Sequence, residues 1–162
     1  MGNKSIVVEN GEEIEEENYM YTTFVLGDQT LGVTVDLVES IMKPDMITSV
    51  PRSCDEVYGL LNLRGRIVTV VDTRKVMGLP DANKKLSEMM CLTVSYEQEL
   101  YALLIDSIEE VEKFPKSSFS PVPRSVDENW RELSTGIHKT DNGILLILDV
   151  AKVMSFVGEK DK

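Results

Sequence analysis

Arg64 is the side chain whose type and setting best suit specific recognition. It lies in the segment Asn62-Leu63-Arg64-Gly65, directly before a run at 67–71 that is rich in β-branched residues and predicts a buried strand. Gly65 permits a positive φ, so a tight turn is predicted before that strand. A guanidinium held on such a turn offers a planar fork of N–H donors that fits a carboxylate. The pattern therefore predicts either a binding residue at Arg64 or a solvated surface charge.

Groups that could carry out catalysis or bind a metal are sparse in this sequence. The single histidine, His138, lies between Ile137 and Lys139 and is predicted to be a surface or packed residue. The two cysteines, Cys54 and Cys91, are far apart and form no Cys-x-x-Cys motif, and we expect Cys91 to be a small core residue. A nucleophilic triad or a zinc site would need further ligands of these types. We therefore expect a protein that is not an enzyme, with no catalytic residue, no metal and no cofactor.

Carboxylates recur in the segment 106–112, which follows a predicted strand. Two of its acids could act as an acid–base pair if a pocket separated their pKa values, as in a small-ligand-binding β-barrel. A solvated strand–turn edge is the interpretation that we favour. Asp72 and Asp149 each follow an apolar run, and we expect both to cap the turn or helix that comes next. The acids of the segment are Asp106, Glu109, Glu110 and Glu112.

The elements that must position these side chains are mostly short strands. Helical signals are few and fall at 73–77, 127–133 and 149–156. Many short strands with turns between them favour closed or nearly closed barrels, which remove exposed strand edges. The fold class is therefore all-β. Strands are predicted at 21–26, 31–35, 67–71, 93–96, 100–105 and 144–148.

Three blocks of sequence recur in the same order. Residues 36–39 echo 106–109, residues 50–53 echo 122–125, and residues 70–77 echo 147–154, at offsets of 70, 72 and 77 residues. Three blocks in register indicate an internal duplication. We expect two similar β subdomains of roughly 65–70 residues that pack on each other, because neither alone would bury a large core.

The arginine turn, its lead-in Gly59-Leu60-Leu61 and the duplicated layout resemble the CheW family of bacterial adaptors. The resemblance covers about residues 19–156 and also includes Phe24-Val25-Leu26-Gly27 and the pair Gly136-Ile137. It implies two SH3-like five-stranded β-barrel subdomains packed around a shared apolar core. The partner-binding residues that it implies are Val38, Glu39, Gly59, Leu60, Asn62, Leu63, Arg64 and Gly65.

The same resemblance implies a non-enzymatic adaptor that couples chemoreceptors to a CheA-type histidine kinase. The regulatory domain of the kinase would dock on one barrel, and the cytoplasmic tip of a chemoreceptor would enter the groove between the barrels. A motility or surface-behaviour pathway other than flagellar chemotaxis is an alternative within this class. Family members commonly carry an acid at the position of Ser40, where it would pair with the arginine. Glu39 could substitute, although adjacent strand residues point to opposite faces.

Charge and hydropathy limit the partners further. The net charge is −11, and a negatively charged body is repelled by phosphate, so nucleic acid is not expected as a partner. Residues 1–18 hold six glutamates and are predicted to form a disordered acidic tail, followed by the domain at 19–156 and a C-terminal tail at 157–162. Residues 1–8 lack the apolar core of a signal peptide, and apolar runs such as 144–148 are too short to span a bilayer. We expect a cytoplasmic protein without direct membrane insertion that reaches membrane-bound receptor arrays through its partners.

Overall fold

The structure is a computed structural model that describes residues 3–9, 11–51 and 54–160. Three short helices accompany the strands: α1 (Thr73–Val76), α2 (Glu128–Glu132) and α3 (Val150–Lys160). The strands are β1 (Asn3–Glu9), β2 (Glu12–Leu26), β3 (Gln29–Thr34), β4 (Val38–Met42), β5 (Val57–Leu63), β6 (Arg66–Asp72), β7 (Met90–Tyr96), β8 (Glu99–Ile105), β9 (Ser107–Pro115), β10 (Ser134–Thr140) and β11 (Gly143–Leu148).

The strands form two sheets. Five strands run in the order β9-β2-β3-β11-β10, and β1 adds a sixth by pairing with the first part of β2; we name this sheet barrel A. Barrel B has the order β4-β7-β8-β6-β5. The prediction of an all-β protein with two SH3-like subdomains is confirmed, although neither sheet closes through a continuous ladder.

One isolated bridge joins the two ends of each sheet. In barrel B, Thr48 and Leu60 exchange two backbone hydrogen bonds of 2.8 Å. In barrel A, Ser120 and Ile137 do the same at 2.9 and 2.8 Å. Thr48 precedes Ser120 by 72 residues and Leu60 precedes Ile137 by 77, which are the offsets of the sequence repeat. The duplication therefore extends to the hydrogen bonds that close the barrels.

The two repeats exchange their first hairpins. The first repeat comprises β2–β6 and α1, and the second comprises β7–β11 and α3. Hairpin β2–β3 joins β9–β11 of the second repeat, and hairpin β7–β8 joins β4–β6 of the first. The parallel pairs β3–β11 and β6–β8 connect the exchanged hairpins to their new neighbours. Each barrel therefore contains strands of both repeats, rather than one repeat of consecutive sequence.

The exchange produces one shared core and two smaller barrel interiors. The shared core lies between the sheets and includes Phe24 and Leu31 of barrel A together with Leu92 and Leu103 of barrel B. Burial of apolar surface at about 25 cal/mol per Å² makes this layer the main source of stability. The interior of barrel B consists of Leu61, Val68, Val70, Met89, Cys91, Ala102 and Leu104, and that of barrel A contains Tyr21, Leu145 and Ile147.

Both predicted tails differ from the structure. Within 1–18, β1 pairs in antiparallel register with the first part of β2 from Asn3–Asn18 to Glu9–Glu12, so the expected disorder is not what the structure has. The physical reason is that β2 continues past barrel A and offers its backbone groups to a second strand. At the other terminus, α3 continues through Lys160 and buries Val157, so most of the expected tail at 157–162 is helix.

Candidate functional site

The arginine turn connects β5 to β6 by a two-residue loop. Leu63 and Arg66 form the last pair of the ladder, so Arg64 and Gly65 occupy the two loop positions. Their φ values are 52° and 84°, which is the pattern of a type I′ turn that matches the twist of a hairpin. The Asn62 side-chain oxygen accepts a 2.8 Å hydrogen bond from the Gly65 N–H. The positive φ predicted for Gly65 is confirmed, whereas the positive φ of Arg64 was not foreseen.

A shallow depression of about 130 Å³ lies beside this turn, between β4 and the β5–β6 hairpin. We name it the basic opening, because its lining has two arginines against one acid and is therefore positively charged overall. The side chains of Arg64 and Arg66 are exposed, and neither makes a hydrogen bond or an ion pair with another described residue. The residues that line it are Glu39, Ser40, Leu63, Arg64, Arg66 and Leu100.

The predicted binding residues divide into three groups. Glu39, Leu63 and Arg64 line the basic opening, while Asn62 and Gly65 build the turn. The remaining three have backbone or packing roles. A Cβ on Gly59 would lie 2.5 Å from the Thr48 carbonyl oxygen, Leu60 forms the closing bridge, and Val38 packs on the shared core.

Two residues of the opening were not predicted, Arg66 and Leu100, and Ser40 was considered only as the position where the family commonly has an acid. Arg66 directly follows the turn, so the hairpin pattern could have identified it. Leu100 belongs to the exchanged hairpin of the second repeat, and sequence spacing gives no signal for its position. Ile67 of β6 is 66% exposed, but it pairs with Asn62 and therefore lies on the opposite face of the hairpin from Leu63 and Arg66.

Barrel A has a depression at the equivalent place, with the opposite charge. Its acids are Asp28, Glu109 and Glu112, and no lysine or arginine lines it. Burial raises the pKa of Glu112, and repulsion from Glu110 and Glu109 raises it further. The volume is about 440 Å³. We name this depression the acidic opening.

Asp106 is separated from the other acids of the segment 106–112 by its ion pair. Asp106 is buried and forms an ion pair with Arg74, at 3.0 Å from Nε and 2.6 Å from Nη2, so it is not at a solvated edge. Although burial raises the pKa of Asp106, hydrogen bonds from Arg74 and the Gly27 N–H outweigh that effect and hold it below its usual value. Glu109 and Glu110 are exposed as expected. Among the described residues, no group of three His, Cys, Asp or Glu is arranged to hold a metal ion.

His138 is a core residue of barrel A. Its ring is fully buried and stacks on Phe114 at 4.8 Å between centroids. The Ser118 hydroxyl donates to the Pro115 carbonyl oxygen at 2.9 Å, so at 2.7 Å its oxygen accepts from Nδ1–H of His138. Nε2 then accepts from the Tyr21 hydroxyl at 2.9 Å. Both ring nitrogens are satisfied in the neutral form, and burial lowers the pKa of His138.

Three further predictions about individual side chains are confirmed. Asp72 accepts a hydrogen bond from the Lys75 N–H at 3.3 Å, and Asp149 accepts one from the Lys152 N–H at 3.2 Å, so both cap the element that follows. Cys91 is fully buried in barrel B, and burial raises the pKa of its thiol to about 11.

Across the described residues, none of the helices has the length and apolar content needed to cross a membrane.

Comparison with known proteins gives a consistent result. The family model described as the CheW-like domain matches residues 20–157. The chemotaxis protein CheW of Helicobacter pylori is 27% identical over 143 residues, which cover 88% of this chain and 86% of that protein. The chemotaxis protein CheW of Thermotoga maritima is 29% identical over 140 residues, which cover 86% of this chain and 89% of that protein. The crystal structure of the scaffolding protein TtCheW from Thermoanaerobacter tengcongensis superposes with a TM-score of 0.72 at 26% identity, over 81% of this chain and 88% of that one.

Proposed function

The chain belongs to the CheW family, and we propose that it is a non-enzymatic adaptor that couples chemoreceptors to a CheA-type histidine kinase in bacterial chemotaxis. Relatives that carry the name of chemotaxis protein, and a relative described as a scaffolding protein, support this role. The adaptor would work in the cytoplasm and would reach membrane-bound receptor arrays through its partners. Receptor state would bias the kinase through contacts that the adaptor makes to both proteins.

The observation that carries the proposal is the presentation of Arg64. A type I′ turn holds its backbone, the guanidinium is exposed, and it has no ion pair among the described residues. Leu63 and Leu100 line the same opening, so the surface combines unpaired guanidinium donors with apolar area. We propose that barrel B docks through this surface on the kinase regulatory domain and that the groove between the barrels receives the receptor tip, as a helix in a groove.

The buried polar groups support a binding role over a catalytic one. His138, the only histidine, has both ring nitrogens in hydrogen bonds inside barrel A and has no contact with solvent. Asp106 is held by Arg74. A general acid or base must reach its substrate, and both of these groups already form hydrogen bonds with other side chains of the protein.

Titration calorimetry of the purified full chain against the kinase regulatory domain and against a receptor tip fragment tests the proposal. Arg64→Ala should leave the free energy of unfolding within about 0.5 kcal/mol, because the head of this side chain is solvated. It should weaken binding of the kinase regulatory domain about ten- to thirty-fold, as expected for an arginine anchor. Arg64→Glu should weaken binding more, and Arg64→Lys should restore only part of the affinity because lysine lacks the planar fork.

The matched control is Lys139→Glu. This exposed residue occupies the position in barrel A that Asn62 occupies in barrel B, so the variant makes the same change in net charge on the other barrel. It should bind like wild type. If wild type binds neither partner, the adaptor role is wrong. If Arg64→Glu binds the kinase regulatory domain like wild type, Arg64 is not an interface residue.

A further inference from the structure

We propose that the basic opening of barrel B receives a carboxylate side chain, an Asp or a Glu, from the kinase regulatory domain. The inference rests on the proposed adaptor function and names the chemistry that the partner must supply. It follows from the charges, the hydroxyl groups and the shape of the opening, and from the contrast with barrel A.

The charges of the opening call for an anion. Arg64 and Arg66 lie on either side of Gly65 and border the same depression. Glu39 is the one acid that lines the opening, and neither guanidinium forms an ion pair with it or with another described residue, so the lining carries a net positive charge. Two like charges at one small site repel each other, and a carboxylate between them would turn that repulsion into charge-assisted hydrogen bonds. Leu63 and Leu100 supply apolar walls that would strengthen such bonds by excluding water.

Ser40 of the opening and its cross-strand neighbour Thr93 both carry a hydroxyl group without a hydrogen-bond partner in the part of the chain that the structure describes. Ser40 lines the opening and pairs directly with Thr93 across β4 and β7. Both side-chain oxygens are buried and have no hydrogen-bond partner among the described residues, and Thr93 is fully buried. A buried hydroxyl without a partner costs stability. Because Ser40 lines the opening and its hydroxyl hydrogen has no acceptor among the described residues, it would be available to a carboxylate that enters there.

The acidic opening of barrel A explains why only one barrel can accept this group. Asp28, Glu109 and Glu112 would repel a carboxylate from the equivalent position. The two openings therefore distinguish the two ends of a molecule whose backbone is nearly symmetric. An acidic side chain of the partner would select barrel B and fix the orientation of the complex.

The proposal can be tested with a variant that places a carboxylate of this chain in the basic opening. Ser40→Asp should pair with Arg64 and Arg66, so the melting temperature should equal or exceed that of wild type. Affinity for the kinase regulatory domain, measured by titration calorimetry, should fall about tenfold or more because the site is already occupied. Ser40→Asn has the same size without the charge, and it should bind at least about fivefold more tightly than Ser40→Asp.

Thr140→Asp is the control for charge. It adds the same carboxylate to the acidic opening and should leave the affinity for the kinase regulatory domain unchanged. Equal affinities for wild type and Ser40→Asp, or equal losses for Ser40→Asp and Ser40→Asn, would overturn the proposal. If Ser40→Asp does not fold, the affinity of Arg66→Ala for the kinase regulatory domain tests the proposal instead, because Arg66 is exposed. A loss of affinity of about fivefold or more supports the proposal, and wild-type affinity overturns it. If wild type itself does not bind, the adaptor function fails and this inference falls with it.

Discussion

The two barrels share a backbone plan but differ in the chemistry of their interiors. At equivalent positions of the repeat, barrel A has Tyr21 and His138 where barrel B has Cys91 and Leu61. All four side chains are buried, so the same space holds a hydrogen-bonded pair in one barrel and two apolar groups in the other. The comparison teaches that the duplicated backbone specifies only the volume of this space, and that each barrel satisfies its polar groups in its own way.

Leu61→His should have the largest effect on this comparison. The variant puts into barrel B the residue that barrel A has at the same position, but the Tyr21 equivalent there is Cys91. The offset of 72 residues relates Ser118 to Met46, which has no hydroxyl to act as the second partner. We expect the free energy of unfolding to fall by about 3–5 kcal/mol, from lost apolar burial and a buried imidazole without partners.

Chemical denaturation measured by circular dichroism checks this expectation. Leu61→Met is the control, since it conserves volume and should cost less than about 1.5 kcal/mol. A loss below about 1 kcal/mol for the histidine variant would show that barrel B adapts to a polar group, and the distinction between the two interiors would then be wrong.

Alanine at the two closing bridges should have the next largest effect. A Cβ on Gly59 would meet the Thr48 carbonyl oxygen at 2.5 Å, which is backbone and has little room to move. A Cβ on Gly136 would first meet the ring of Phe119, a side chain that is 37% exposed and can rotate away. The same Cβ would still lie 2.7 Å from the Ser120 carbonyl oxygen. We expect Gly59→Ala to cost about 3 kcal/mol and Gly136→Ala about 2 kcal/mol.

The ring of Phe119 allows this difference to be tested separately. In the background of Phe119→Ala, the further cost of Gly136→Ala should be smaller than in wild type, as a double-mutant cycle would measure from melting curves. No reduction in that cost would mean that the backbone alone decides closure in barrel A as well. The closing bridges would then be energetically equivalent.

Much of the fold could be predicted from the sequence, because local patterns specify strands and turns. The strands predicted at 67–71 and 144–148 match β6 and β11 to within one residue at each end, and the caps at Asp72 and Asp149 are confirmed. Strands β4, β5, β9 and β10 were not predicted as strands. They are short, or rich in charged and small residues, and their pairing is decided by neighbours distant in sequence.

The arrangement of the site could be predicted only in part. Arg64, Leu63 and Glu39 were identified, but Leu100 joins them only because the hairpin β7–β8 crosses into barrel B. A repeat offset is the same whether the hairpins are exchanged or not, so sequence alone could not give this geometry. The offset of 77 residues does relate His138 to Leu61, and it could have indicated that the histidine is interior.

The smallest expected effect concerns pH. Burial lowers the pKa of His138 in the folded protein, whereas in the unfolded chain the pKa is about 6.5. As the pH falls below about 6.5, the unfolded chain takes up a proton at His138 and the folded protein does not, so the free energy of unfolding decreases. His138→Leu gives barrel A the residue of barrel B and should remove this component of the pH dependence. At about pH 7.5 the variant should cost about 1–2 kcal/mol, because the buried Tyr21 hydroxyl loses its partner.

Denaturation curves of wild type and His138→Leu between about pH 8 and pH 5 separate the two contributions. The raised pKa values of Asp72 and Glu112 act in both proteins, so the difference between the curves isolates the histidine. Wild type should lose stability relative to the variant as the pH falls, and the gap between them should narrow. Parallel curves would mean that His138 is protonated as easily in the folded barrel as in the unfolded chain. In that case the Tyr21 oxygen would have to accept a hydrogen bond from Nε2–H, and the neutral pair that distinguishes barrel A from barrel B would not be required for its packing.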